Sequence, residues 1–177
     1  MSNLKKLAIL LQLFVLSSSP SLAQLHFETG INFISPTGEF GTSTEFGAGA
    51  YIEPKYLLTE HVDIGLHLGL NGVLGKNLKS GATLPTILAT YTYRLPTNHM
   101  IFYGGLGFGI YVLRGNRLLI ESTEFGIAPR LGIYLGRLNL GLTYNVVTEA
   151  NFIQEEIISA NANFLQVNVG VRILSRE

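Results

Sequence analysis

The chain has 177 residues, 12 Lys+Arg against 12 Asp+Glu, and no cysteine. Charged residues make up only 14% of it, and the mean hydropathy is +0.33, apolar for an exported domain. Absence of cysteine excludes a disulfide framework, the balanced charge offers no basic stripe for nucleic acid, and no run of eighteen apolar residues after the N-terminal segment could form a membrane-spanning helix.

The first residues read as an export signal. Lys5 and Lys6 form a positive n-region, Leu7 to Leu16 an apolar h-region too short to span a bilayer, and Ser21-Leu22-Ala23 a small-x-small cleavage site. The expected division is a Sec signal peptide over 1–23 and one β-barrel domain over 24–177. With no cysteine after the cleavage site, a lipid anchor on an N-terminal Cys is not expected.

From there the chain alternates apolar residues with polar residues or glycine. Period-two alternation predicts strands, at about 25–34, 45–58, 62–73, 83–95, 100–113, 122–135, 138–148 and 162–174. Their connections alternate in length. Thr59-Glu60-His61, Pro96-Thr97-Asn98-His99 and Gly136-Arg137 are short; those after Ser35, Leu74, Arg114 and Glu149 are longer. Bacterial outer-membrane barrels have short periplasmic turns and longer outer loops. The expected fold is therefore all-β: an eight-stranded antiparallel up-and-down transmembrane β-barrel.

Parity separates two faces. Val62, Ile64, Leu66, Leu68 and Leu70 form one uncharged row, and Leu138 to Val146 and Leu165 to Ile173 give others. If these rows meet lipid, Phe27, Tyr56, Tyr91, Tyr93 and Phe102 fall toward the periplasmic side. Phe33, Phe46, Phe125 and Tyr144 fall at the outer end, giving two aromatic belts. The opposite parity carries Glu28, Glu53, Lys55, Asp63, Arg94, Glu124, Arg130 and Arg172, with His26, His67 and many glycines. Eight strands enclose a space that side chains fill, and a buried charge must be paired. These eight residues are expected to form an ion-pair network that plugs the lumen, with Arg172 near Glu28, Asp63 near Arg94, and glycines making room for the long charged chains.

Other motifs carry less. Gly104-Gly105-Leu106-Gly107-Phe108-Gly109 has its glycines at period two with no helix after them, so it is no nucleotide loop. The histidines lack zinc-site spacing, and no metal or other cofactor is expected. Ser122, Thr123, Glu124 and Ser80 are the outer-rim candidates for catalysis, but no histidine is expected there and the chain is not read as an enzyme. Asn151-Phe152-Ile153-Gln154-Glu155-Glu156-Ile157-Ile158 is apolar for a loop. It reads as a strand extension or mouth cover, or as a site for a protein partner.

Ala48-Gly49-Ala50-Tyr51, Leu88 through Arg94, Tyr103 through Gly109, and Val167 through Ile173 carry a resemblance. The chain resembles OmpA/OmpX-like small outer-membrane barrels, and more closely the stand-alone outer membrane protein beta-barrel domain proteins of Gram-negative bacteria. The resemblance implies residence in the outer membrane among its lipid and lipopolysaccharide, insertion by the barrel-assembly machinery, and no defined reaction. The expected function is a structural or interaction role through the outer loops, without an open pore, since eight strands enclose a filled interior. A lipid-modifying enzyme acting at the outer rim, or a secreted lipocalin-like carrier with its aliphatic rows turned inward, are the alternatives. One departure stands out: such barrels commonly end on an aromatic assembly signal, whereas this sequence ends Ile173-Leu174-Ser175-Arg176-Glu177. An OmpA-like peptidoglycan anchor is not expected.

Overall fold

The computed structural model describes residues 25–38, 40–76, 81–115, 121–147, 150–154 and 156–173. The export signal assigned to 1–23 lies outside the described residues, as does Ser80. Eight strands close into a barrel: β1 (Leu25–Pro36), β2 (Thr44–Thr59), β3 (Val62–Gly75), β4 (Gly81–Pro96), β5 (Ile101–Gly115), β6 (Glu121–Leu135), β7 (Leu138–Val147) and β10 (Phe164–Arg172). Each pairs antiparallel with its neighbours along the chain, and β10 returns to β1, from Glu28 opposite Arg172 to Pro36 opposite Phe164. Closure removes the sheet edges that an open array of such strands would expose.

Two elements were not anticipated. A single helical turn, α1 (Phe40–Ser43), interrupts the first long loop. The last loop folds on itself as β8 (Ala150–Gln154) and β9 (Glu156–Ala160), a separate two-stranded sheet that does not prolong the barrel wall. Its β-branched run, Ile153 with Ile157 and Ile158, suits a hairpin. The connections at 76–80 and 116–120 are shorter than the sequence suggested, because the flanking strands run on. β2 to β6 have 14 to 16 residues, where about 9–11 cross a bilayer. The wall therefore rises beyond an apolar band at the long-loop end.

The hydrophobic rows face outward. Leu70 is 63% exposed and Leu131 60%, and no charge interrupts Val62 to Leu74 on β3 or Leu138 to Val146 on β7. Burial along β7 alternates without exception in the opposite sense, with Asn139, Gly141, Thr143, Asn145 and Val147 turned inward. A lipocalin-like carrier needs the reverse parity, and the observed orientation overturns that alternative. Tyr91, Tyr93 and Phe102 lie outward toward the short-turn end, with Phe27 and Tyr56 half-exposed there; Phe33, Phe46, Phe125 and Tyr144 lie outward toward the loop end.

Prolines punctuate the wall. Pro54, Pro85 and Pro129 lack an amide hydrogen, and each coincides with a gap in one ladder that leaves the register unshifted. The β2·β3 pairing skips from Ile52–Leu68 to Lys55–Gly65, β4·β5 from Thr83–Arg114 to Thr86–Tyr111, and β6·β7 from Ile127–Val146 to Arg130–Thr143. The two-residue turn Gly136-Arg137, between the paired Leu135 and Leu138, places Gly136 at φ 59°, a left-handed conformation that glycine adopts without a Cβ clash.

Candidate functional site

Among the described residues chemistry-bearing side chains converge in the lumen, which is built in layers. Inward positions from all eight barrel strands meet there, so each layer draws on residues far apart in sequence. At its centre Glu53 is fully buried. Arg130 holds it through both terminal nitrogens, Nη1 to Oε1 and Nη2 to Oε2, each at 2.8 Å. Thr90 Oγ1 donates to Oε1 at 2.8 Å, and His67 Nδ1 stands 3.2 Å from Oε2. The bidentate fork fixes geometry as well as charge.

Toward the short-turn end Glu28, also fully buried, takes four donors. Tyr51 Oη donates at 2.7 Å, Lys55 Nζ at 2.8 Å, Tyr134 Oη at 3.1 Å, and Asn139 Nδ2 completes the set. Lys55 also donates to Tyr134 Oη at 2.9 Å and lies 3.6 Å from Glu53, so the two carboxylates share one ammonium. Asp63 and Arg94 form a separate pair at 3.2 Å, while Arg94 Nη2 donates to the Glu60 carbonyl at 3.3 Å.

Toward the loop end the charges give way to amides. Asn32 donates to Asn71 at 3.0 Å, Tyr111 to Asn145 at 2.8 Å, Gln166 to Asn168 at 2.7 Å, and Asn168 to Thr143 at 2.9 Å. A cavity of about 10 Å³, the size of one water, lies between this layer and Arg130 and His67. Above it the lumen is apolar. Ile34, Val73, Leu84, Leu113, Val147 and Phe164 pack together, and Phe40 of α1 is buried into the same cluster from the first loop. That apolar cap had no counterpart in the sequence reading.

The eight charged residues thus separate into groups. Glu28, Lys55, Glu53 and Arg130 are joined; Asp63 and Arg94 form their own pair; Glu124 lies apart near the loop end, half-buried and accepting from Ser122 Oγ. Arg172 faces Glu28 across the β1·β10 register, yet its guanidinium lies over the Tyr134 ring, Cζ 4.4 Å from the centroid, and makes no ion pair with Glu28. The four donors already on Glu28 account for this, since a carboxylate offers about four acceptor positions.

Four inward tyrosines, Tyr51, Tyr103, Tyr111 and Tyr134, are among the lumen residues, with the amides, that charge-based reasoning passes over. Parity would have found them: Tyr51 shares its row with Glu53 and Lys55, and Tyr134 with Arg130. Several lumen glycines make room for these rings. Gly30 and Gly170 pair across β1 and β10 beneath Tyr51, and Gly132 and Gly141 pair across β6 and β7 beneath Tyr103. Gly105 and Gly65 lie instead against charged stems, those of Arg130 and Lys55. A Cβ at Gly132 would come within 2.6 Å of Tyr103 Cζ. Gly132→Ala is expected to cost about 1–3 kcal/mol by overpacking, with part regained when Tyr103→Leu is added, as read from urea unfolding of the barrel in lipid vesicles.

His26 and His67 are buried in the lumen, while His61 and His99 occupy turns. None neighbours Ser122 and Glu124, both of which sit at the other end of the barrel. Among the described residues no three His, Cys, Asp or Glu side chains are placed to hold a metal ion.

Fold and interior together define a class: a closed eight-stranded barrel, apolar outside and packed with polar side chains within. Solved structures of outer-membrane barrels share that architecture. The chain is similar to Neisserial surface protein A, at 13% identity over 85% of this chain and 96% of that one, with a TM-score of 0.66. It is similar to the attachment invasion locus protein Ail of Yersinia pestis, solved with the heparin analogue sucrose octasulfate, at 10% identity over 84% and 97% of the two chains and a TM-score of 0.51. The N-terminal β-barrel domain of Pseudomonas aeruginosa OprF matches at 10% identity over 85% and 98%, also at 0.51. At these identities the likeness is one of fold. No family model matches the sequence, and no curated protein matches it.

Proposed function

We propose that this chain is an integral outer-membrane protein of a Gram-negative cell, exported by its signal peptide, that works as a closed barrel. It serves as a structural or interaction element through its loop end and carries out no reaction. The observation that carries this reading is the pairing of an uncharged apolar exterior with a filled interior. Leu, Ile and Val rows surround the wall while Glu28, Glu53, Lys55 and Arg130 bond to one another inside. Water would solvate such an exterior poorly, and lipid solvates it well. Lipid and lipopolysaccharide then surround the band, the short turns face the periplasm, and the barrel-assembly machinery inserts the chain.

The loop end supplies the interaction surface. The β8–β9 hairpin pairs with no barrel strand, and a two-stranded sheet has outer edges able to accept another strand. It covers the Asn151 to Ile158 segment proposed for a protein partner.

Extracted protein run on a denaturing gel without boiling is expected to migrate as a compact species that shifts on heating, and to stay with the membrane fraction through a carbonate wash. In planar bilayers it is expected to give no steady conductance. Release by carbonate would remove the membrane assignment, and stable ohmic steps would remove the closed lumen.

A further inference from the structure

We propose that the short-turn mouth of the lumen binds a single oxyanion of the phosphate class, with Arg172 as its principal ligand and His26 and Arg94 beside it. Arg172 is 8% exposed, yet among the described residues nothing accepts a hydrogen bond from its Nε or Nη2. Glu28, its partner in the register, is already saturated by Tyr51, Lys55, Tyr134 and Asn139. Stacking on Tyr134 uses the flat face of the guanidinium and leaves its in-plane N–H fork available.

The balance of charge agrees. Lys55, Arg94, Arg130 and Arg172 are buried in the middle and turn half of the lumen against Glu28, Glu53 and Asp63. Lys55 is held by Glu28, Arg130 by Glu53 and Arg94 by Asp63, so among the described residues the lumen cation with no carboxylate at ion-pair distance is Arg172. An uncompensated buried charge is strongly unfavourable and draws a counter-ion. His26 lies one inward position nearer the mouth than Glu28, within electrostatic reach of Arg172, Lys55, Arg94 and Glu28. Its Nε2 is buried and has no partner among the described residues. Arg137, exposed in the adjoining turn, accepts the Arg172 backbone N–H through its carbonyl and adds a further cation at the rim. The carboxylates near this mouth are Asp63, which lies 3.2 Å from Arg94 and within electrostatic reach of Arg172 but takes no hydrogen bond among the described residues, and Glu60, which is exposed in the β2–β3 turn. A planar arginine fork beside other cations suits a tetrahedral oxyanion.

Free phosphate and a phosphate head group at the rim present the same chemistry, and the test separates them. The full-length mature barrel, refolded in phosphatidylcholine vesicles, is titrated with inorganic phosphate and with chloride at equal ionic strength. The thermal midpoint of the compact gel species and the phosphorus NMR line width are recorded. Phosphate is expected to raise the midpoint saturably where chloride does not, and Arg172→Met is expected to weaken the apparent affinity at least about tenfold. Lys76→Met, at the loop end, is expected to leave it unchanged. Should Arg172→Met fail to fold, saturable line broadening with the wild-type protein, relieved by sulfate, carries the same conclusion. A response to short-chain phosphatidic acid but not to inorganic phosphate assigns the site to a head group. Equal responses to phosphate and chloride overturn the proposal. So does a phosphate response that appears only after the chain is cut behind Ile173, because the counter-charge is then supplied by the tail itself.

Discussion

Glu53→Gln is expected to cost the barrel about 3–5 kcal/mol, measured by urea unfolding in lipid vesicles. Glutamine keeps the size of the side chain, removes its charge and turns one acceptor oxygen into a donor nitrogen. Arg130, 7% exposed, would then sit in the middle of the lumen with its bidentate partner gone. His67, Thr90 and Lys55 would be left with a single neutral amide oxygen in place of the carboxylate, and no other described carboxylate at that level can replace it, since Glu28 is saturated and Asp63 belongs to Arg94. Adding Arg130→Met should recover most of the loss, because replacing both members of a buried pair by neutral groups avoids the stranded charge. The resulting double-mutant cycle should show a coupling well above that of an exposed pair, which is about 0–1 kcal/mol. A cost near that of a surface pair for Glu53→Gln alone would mean that water reaches Arg130. The closed lumen would then be wrong, and the same variant should conduct.

The wall of this barrel is readable from sequence because lipid and lumen impose opposite demands on neighbouring residues. On β3 the row from Val62 to Leu74 carries no charge, while Asp63 and His67 alternate with it. A shift of one residue would put Asp63 into hydrocarbon, so parity alone orients the strand. Individual contacts in the lumen are less legible. Register places Arg172 opposite Glu28, but four donors from β2, β6 and β7 decide what Glu28 binds. Those donors come from residues between 23 and 111 positions away in sequence, and no local spacing encodes their meeting. Glycine was legible as a lumen residue and its use was not: Gly30 with Gly170, and Gly132 with Gly141, admit tyrosine rings where charged chains were anticipated. The β8–β9 hairpin lay in a segment whose apolar content was plain, but with no second face demanded of it, alternation could not distinguish a strand from a covering loop.

Leu68→Arg is expected to destabilise the folded barrel by about 2–4 kcal/mol in lipid, the cost of placing a cation near the middle of the hydrocarbon. Leu68 lies mid-strand on β3, paired with Ile52 on one side and Ile87 on the other, and all three point outward. Its 37% exposure makes the test discriminating. On a water-facing wall the same substitution touches no core, and surface changes of that kind usually stay within about 0.5 kcal/mol. The inward neighbour provides the control. His67 contacts Glu53, so His67→Arg changes lumen electrostatics without putting charge into lipid, and its effect should follow the state of the Glu53–Arg130 pair rather than the thickness of the bilayer. The Leu68→Arg penalty should instead shrink as acyl chains are shortened, because a thinner core lets the guanidinium reach the interface. A penalty for Leu68→Arg that does not vary with lipid thickness, and that is as large in detergent-free buffer as in vesicles, would place the aliphatic rows against protein and not against membrane.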